Sequence, residues 1–155
     1  MTFEEWLESV PDELRTDPLW RMEAYRLGVF AGELAWRDVS KLAQDRRTRS
    51  LSDQLFRAVG SVAANIAEGY SRSSHKDQAR FYEYALGSAR EARTWYYQGR
   101  PVLSEEVVAH RLQLLTQITR LLLATVRATR GRTLYEQPAP YVTTPTTQHD
   151  NPPMP

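Results

Sequence analysis

The sequence predicts an all-α protein: an antiparallel up-down-up-down four-helix bundle with a short extra N-terminal helix. Three observations predict it. Apolar residues recur every three or four positions along four long segments. Proline, glycine or serine punctuates each junction between those segments. No stretch alternates apolar and polar residues as a half-buried strand would. Long helices joined by short connections favour antiparallel neighbours.

Thr2 to Leu14 reads as a short amphipathic helix. Thr2 and Glu5 have the spacing of a capping box. Phe3, Trp6, Leu7, Val10 and Leu14 share one face, ringed by Glu4, Glu5, Glu8, Asp12 and Glu13, and Pro11 disturbs or ends the helix. A face carrying tryptophan is expected to dock on its own bundle. The alternative is an acidic arm that binds a partner or masks the protein's own charge.

The first bundle helix is expected to start with Asp17 as N-cap and Pro18 at the first helical position. Leu19, Trp20, Ala24, Leu27, Ala31, Leu34 and Ala35 carry its apolar face, extending to Val39 and Leu42. Gly28 and Gly32 would admit a neighbouring helix closely. Gln44 to Ser50 is a polar connection.

The central helix, Leu51 to Gly69, is capped by Ser50 or Ser52 and closed by Gly69. Leu51, Leu55, Ala58, Val59, Val62 and Ile66 form one stripe. Arg57, Ser61, Asn65 and Glu68 fall on a second arc, and Phe56, Gly60, Ala63 and Ala67 on a third. A lone surface helix needs one apolar stripe, so this pattern predicts cover on more than one side and an oligomer interface at Phe56, Gly60, Ala63 and Ala67. Ser61, Asn65 and Glu68 belong to that interface as polar groups that fix register and partner number. The other reading of that arc is a ligand-contact stripe.

Tyr70 to Ser74 is a turn, and Ser74 with Asp77 forms a second capping box. The third helix runs to about Gln98 on an apolar stripe of Phe81, Ala85, Ala89, Ala92, Trp95 and Tyr96, with Tyr84 at its margin. Gly99 and Pro101 break it. The fourth starts after Ser104 with Glu105 and Glu106 in its first turn, buries Val108, Leu112, Leu115, Ile118, Leu122 and Val126, and ends near Thr129 before Gly131. Six of the nine prolines lie in residues 133–155, which reads as a disordered tail. The chain thus divides into an acidic arm (1–16), a bundle (17–132) and that tail.

Charge is unevenly placed. Residues 1–45 hold five Lys/Arg against ten Asp/Glu, and residues 46–132 hold fifteen against seven. Eighteen of the twenty cationic residues are arginine, which suits bidentate contacts to phosphate or carboxylate. Up-down topology sorts them by end. Arg72, Lys76, Arg80, Arg127, Arg130 and Arg132 gather at one, and Arg46, Arg47, Arg49 and Arg100 at the other. Repeated around a ring of subunits, such ends become a positive field that attracts nucleic acid.

Other chemistry is sparse. There is no cysteine, which excludes disulfides and thiolate chemistry and fits a cytoplasmic location. The N-terminus lacks the basic start and apolar run of a secretory signal, and no run is long enough to span a membrane. His75, His110 and His149 have no second ligand at helical spacing, so neither metal nor cofactor is expected. No glycine-rich phosphate loop or serine elbow appears. Glu68 and Glu91 read as polar seam residues rather than a catalytic carboxylate pair.

The run Arg57, Ala58, Ser61, Asn65-Ile66-Ala67-Glu68-Gly69, followed by Arg72, Phe81, Ala85, Gly87-Ser88 and Glu91, resembles the bacterial "four helix bundle protein" family. Its members are encoded in intervening sequences of large-subunit ribosomal RNA genes. Relatives include the accessory variability determinant of diversity-generating retroelements. The resemblance covers roughly Leu19 to Arg130. It implies a homopentamer and, as in the retroelement relatives, a nucleic-acid scaffold beside a reverse transcriptase. The acidic arm, the proline-rich tail and Phe56 in place of a second arginine before Ala58 depart from the family pattern. The function expected is therefore a non-enzymatic homo-oligomer that binds RNA or DNA. The alternatives are a protein-interaction module with no nucleic-acid role and an enzyme with an unfamiliar site.

Overall fold

The computed structural model describes residues 2–131. Met1 and residues 132–155 lie outside it, and with them Arg132, His149 and the expected tail. Among the described residues every element is helical: α1 (Phe3–Ser9), α2 (Asp12–Arg15), a 3-10 turn (Pro18–Arg21), α3 (Glu23–Leu42), α4 (Arg49–Tyr70), α5 (His75–Gln98) and α6 (Glu105–Gly131). Among the described residues no helix is long and apolar enough to cross a membrane.

The arm is two helices rather than one. Val10, before proline, takes an extended conformation, and Pro11 opens a new turn. The Thr2–Glu5 capping box forms in full. The break turns α2 off the arm's apolar face, so Leu14, expected to pack, is 43% exposed. α1 does dock on the bundle: the Trp6 ring lies 5.2 Å from Phe30 of α3 and 6.1 Å from Trp20. Phe3 meets Phe30 edge-on at 5.2 Å.

Three helix starts differ from expectation. Asp17 accepts a hydrogen bond from the Leu19 amide, but it caps the 3-10 turn; α3 starts after Met22. α4 starts at Arg49, and neither Ser50 nor Ser52 is its cap. Thr48 precedes it and donates its hydroxyl to the Leu42 carbonyl across the connection. Ser74 caps α5 by accepting from the Asp77 amide; its hydroxyl lies 3.0 Å from the Asp77 carboxylate, so the reciprocal half of a capping box is replaced by a side-chain contact.

α3 packs on α4, α4 on α5, α5 on α6, and α6 returns to α3. Leu27, Phe30 and Leu34, then Leu55, Val62 and Ile66, then Leu115, Ile118 and Leu122 fill the interior. α5 faces it with Ala85, Ala89 and Ala92, together with Tyr82 and Leu86, which the expected stripe lacked. Phe81, expected inside, is half-buried beside them, and Leu112 of α6 is also half-buried.

Gly69 has a different reason for being glycine. No glycine among the described residues has positive φ, and α4 runs on to Tyr70, so Gly69 is not a left-handed helix stop. A Cβ there would lie 2.9 Å from the Tyr82 ring and 3.0 Å from the Phe81 Cβ. Gly69 is thus the close approach of α4 and α5. Gly69→Ala should cost roughly 1–3 kcal/mol in urea unfolding, since overpacking a buried ring outweighs the gain in helix propensity. At Gly87, where a Cβ meets nothing within 4 Å, the same change should instead stabilise by roughly 0.5–1 kcal/mol.

Candidate functional site

The most completely desolvated polar groups are Asp38, Tyr96 and Arg111, on three different helices. Arg111 grips Asp38 in two-pronged fashion: Nε donates to Oδ2 at 2.8 Å and Nη2 to Oδ1 at 3.2 Å. The Tyr96 hydroxyl donates to the same Oδ2 at 2.8 Å. Arg111 Nη1 lies 2.9 Å from His110 Nδ1. The carboxylate is thereby matched by three donors, which lets an ion pair exist in the interior.

Sequence reasoning passed over this cluster. The signal was phase: Asp38 continues the α3 series Leu27, Ala31, Leu34 toward Leu42, and Arg111 stands among Val107, Val108, Leu114 and Leu115. Two opposite charges on the buried stripes of different helices imply a pair. Its arrangement is that of a structural clamp, closed to substrate by near-zero exposure.

Burial, followed by the negative charge of Asp38, pushes the Tyr96 hydroxyl well above the usual tyrosine range. The unfolded chain ionises this group near pH 10 while the native state keeps it protonated. Stability conferred by the neutral hydroxyl is therefore full below about pH 10 and declines as pH rises above it. Urea midpoints measured from pH 8 to 11 should fall with pH, and less steeply in Tyr96→Phe.

The expected basic end comes together in part. Arg72 follows α4, Lys76 and Arg80 lie in the first turns of α5, and Arg130 reaches Glu83 from the end of α6, with Arg127 one turn earlier. Three of these cations are engaged by carboxylates: Arg72 by Glu68, Arg80 by Asp77 and Arg130 by Glu83. Lys76 and Arg127 make no ion pair within the described residues. All are exposed.

The second group lies at the opposite junctions. Arg47 forms two side-chain hydrogen bonds with Asp45, at 3.0 and 2.6 Å, whose carboxyl is lowered to about 2, chiefly by those bonds. Arg46 and Arg49 make no ion pair within the described residues. Arg100 lies 4.1 Å from the Tyr97 ring centroid.

The expected interface strip of α4 faces outward along its α3 side. Phe56 and Gly60 are exposed, Ala63 and Ala67 half-buried. Phe56 meets Trp36 of α3 edge-to-face at 5.8 Å, and these rings are 42% and 65% exposed. A Cβ at Gly32 or at Gly60 would meet nothing within 4 Å, whereas one at Gly28 would touch Val62 and Ala63. Gly28 is therefore the site of close α3–α4 contact, while Gly32 and Gly60 border an open apolar surface. The polar arc lies apart from this strip. Asn65 donates to the Ser61 carbonyl of its own helix, and Glu68 holds Arg72.

Among the described residues no three His, Asp or Glu side chains converge as a metal cage. These features define a protein that is all-helical over its described residues, clamped inside by the Asp38–Arg111 ion pair and bordered by arginine clusters at its helix junctions. The sequence model of the 23S rRNA-intervening sequence protein family matches residues 23–124, and the chain belongs to that family. The matched region excludes α1, α2 and the 3-10 turn. No curated protein matches the chain.

Proposed function

We propose that this protein is a non-enzymatic scaffold that assembles with copies of itself and holds RNA or DNA at its basic ends. The observation that carries the reading is the gathering of Arg72 from the α4–α5 turn, Lys76 and Arg80 from α5, and Arg127 and Arg130 from α6. Membership of a family named for intervening sequences in 23S rRNA supports it. In this reading α3 to α6 form an antiparallel up-down-up-down bundle. Pairing of Trp36 with Phe56, Asp38 with Arg111 and Glu83 with Arg130 supports that arrangement, since each joins the end of one helix to the start of another or runs against its numbering. Copies meet through Trp36, Phe56 and Gly60 in a ring of five, and a reverse transcriptase of a diversity-generating retroelement is the partner for which the nucleic acid is held.

A second reading, a protein-interaction module without nucleic acid, is favoured by the carboxylates already on Arg72, Arg80, Arg130 and Arg47. Exposed pairs of this kind are worth about 0–1 kcal/mol and yield to phosphate. Fluorescence anisotropy with a structured RNA decides between the two. Affinity should fall steeply from low to high salt, because each neutralised phosphate releases counterions. No binding at low salt transfers the protein to the second reading. The arm's charge is best tested by Glu4→Gln with Glu8→Gln, which should strengthen binding or leave it unchanged. Deleting the arm would uncover Phe30.

A further inference from the structure

Aromatic rings accompany the cations at the α4–α5 turn. Phe81, in the second turn of α5, has the Arg72 guanidinium carbon 4.7 Å from its ring centroid and that of Arg80 at 5.6 Å. Tyr84 stands edge-on to Phe81 at 5.5 Å and 86° and is 51% exposed. The close approach at Gly69 sets the Phe81 Cβ beside the α4 backbone, which places the root of this side chain at the turn. The carboxylates on the two guanidiniums are themselves exposed: Glu68 at 49% and Asp77 at 46%. Lys76 lies in the same first turn of α5.

A ligand matching this surface offers a flat π face and phosphates a few ångströms from it. Unpaired nucleotides present both. A duplex hides its base faces in the stack and presents phosphates alone, for which Tyr84 and Phe81 have no use. An acidic peptide satisfies the cations and leaves the rings idle. We infer that this end of the molecule selects unpaired nucleotides, with a base on Tyr84 and neighbouring phosphates on Arg72 and Arg80. The inference rests on the nucleic-acid reading above and adds the strand state that it recognises.

The test is anisotropy of the full chain with a labelled oligouridine of about 20 nucleotides and a blunt RNA duplex of equal length, at one salt concentration. The single strand should bind more tightly. Tyr84→Ala should weaken single-strand binding about tenfold, the effect of losing one stacked base, and leave duplex binding unchanged. Tyr84→Phe should restore it, since the ring and not the hydroxyl is used. Equal losses on both strand forms, or none on either, overturn the inference while nucleic-acid binding stands. So does displacement of oligouridine by polyglutamate as readily as by unlabelled oligouridine. Failure of both RNAs to bind overturns the nucleic-acid reading together with it.

Discussion

Trp36→Glu is expected to release single chains near 17.9 kDa from an assembly several times larger, with helix content unchanged. Trp36 and Phe56 project from α3 and α4 into solvent as one ring pair, and Gly32 and Gly60 leave the ground beside them open. Fully burying such a ring in a partner contributes about 1.5–3 kcal/mol. A glutamate there forfeits that gain and carries an unpaired charge into a desolvated seam, at a further cost of several kcal/mol. Because Trp36 is mostly exposed in the single chain, the substitution leaves the core intact. Ala63→Glu, on the same expected interface strip of α4, is a poorer probe: Ala63 lies where α3 closes on α4 at Gly28, so its effect would mix unfolding with disassembly. Light scattering at micromolar concentration reads the result. A wild-type mass of one chain, or a Trp36→Glu mass equal to wild type, rejects assembly through this face.

Asp38→Ala should destabilise the fold by about 3–5 kcal/mol, a large part of the total for a domain of this size. It removes the carboxylate that the buried Arg111 guanidinium faces, so that Nε and Nη2 lose their Asp38 acceptor. The outcome differs if the whole cluster is exchanged for apolar groups of similar volume. Asp38→Leu with Arg111→Met and Tyr96→Phe removes donors and acceptor together, and should be near neutral or more stable than the parent. Urea unfolding of the single and triple variants separates the two cases. A single-variant loss below about 1 kcal/mol would mean that Arg111 reaches water.

The fold was legible because helical periodicity is repeated over four long segments and each segment carries a coherent apolar stripe. Where stripes were misread, a neighbouring residue in the same turn was the one buried. Tyr82 and not Phe81 enters the core, because Gly69 brings the α4 backbone against that edge of α5. Helix ends were less legible, since Asp17, Ser50 and Ser52 all have capping side chains and only tertiary placement selects among them. The basic end was readable as a collection of arginines, and the Glu68–Arg72 and Asp77–Arg80 pairs were implicit in their four- and three-residue spacings. Glu83 and Arg130 lie 47 positions apart, beyond any local rule. Trp36 falls off the apolar stripe of its helix, so phase marks it as outward-facing, but nothing local in the sequence says what, if anything, covers the ring.

The separation of Asp38 and Arg111 along the chain also has a consequence in time. They are 73 positions apart, and Tyr96 joins from a third helix. A partly assembled chain that dried either charge before the other arrived would bear an uncompensated ion, so the water around them should leave last. The clamp then adds little to the speed of folding and much to the height of the barrier that the native chain must climb to come apart. Loss of Asp38 would accordingly be felt as faster opening, with the rate of collapse into the helical core nearly untouched.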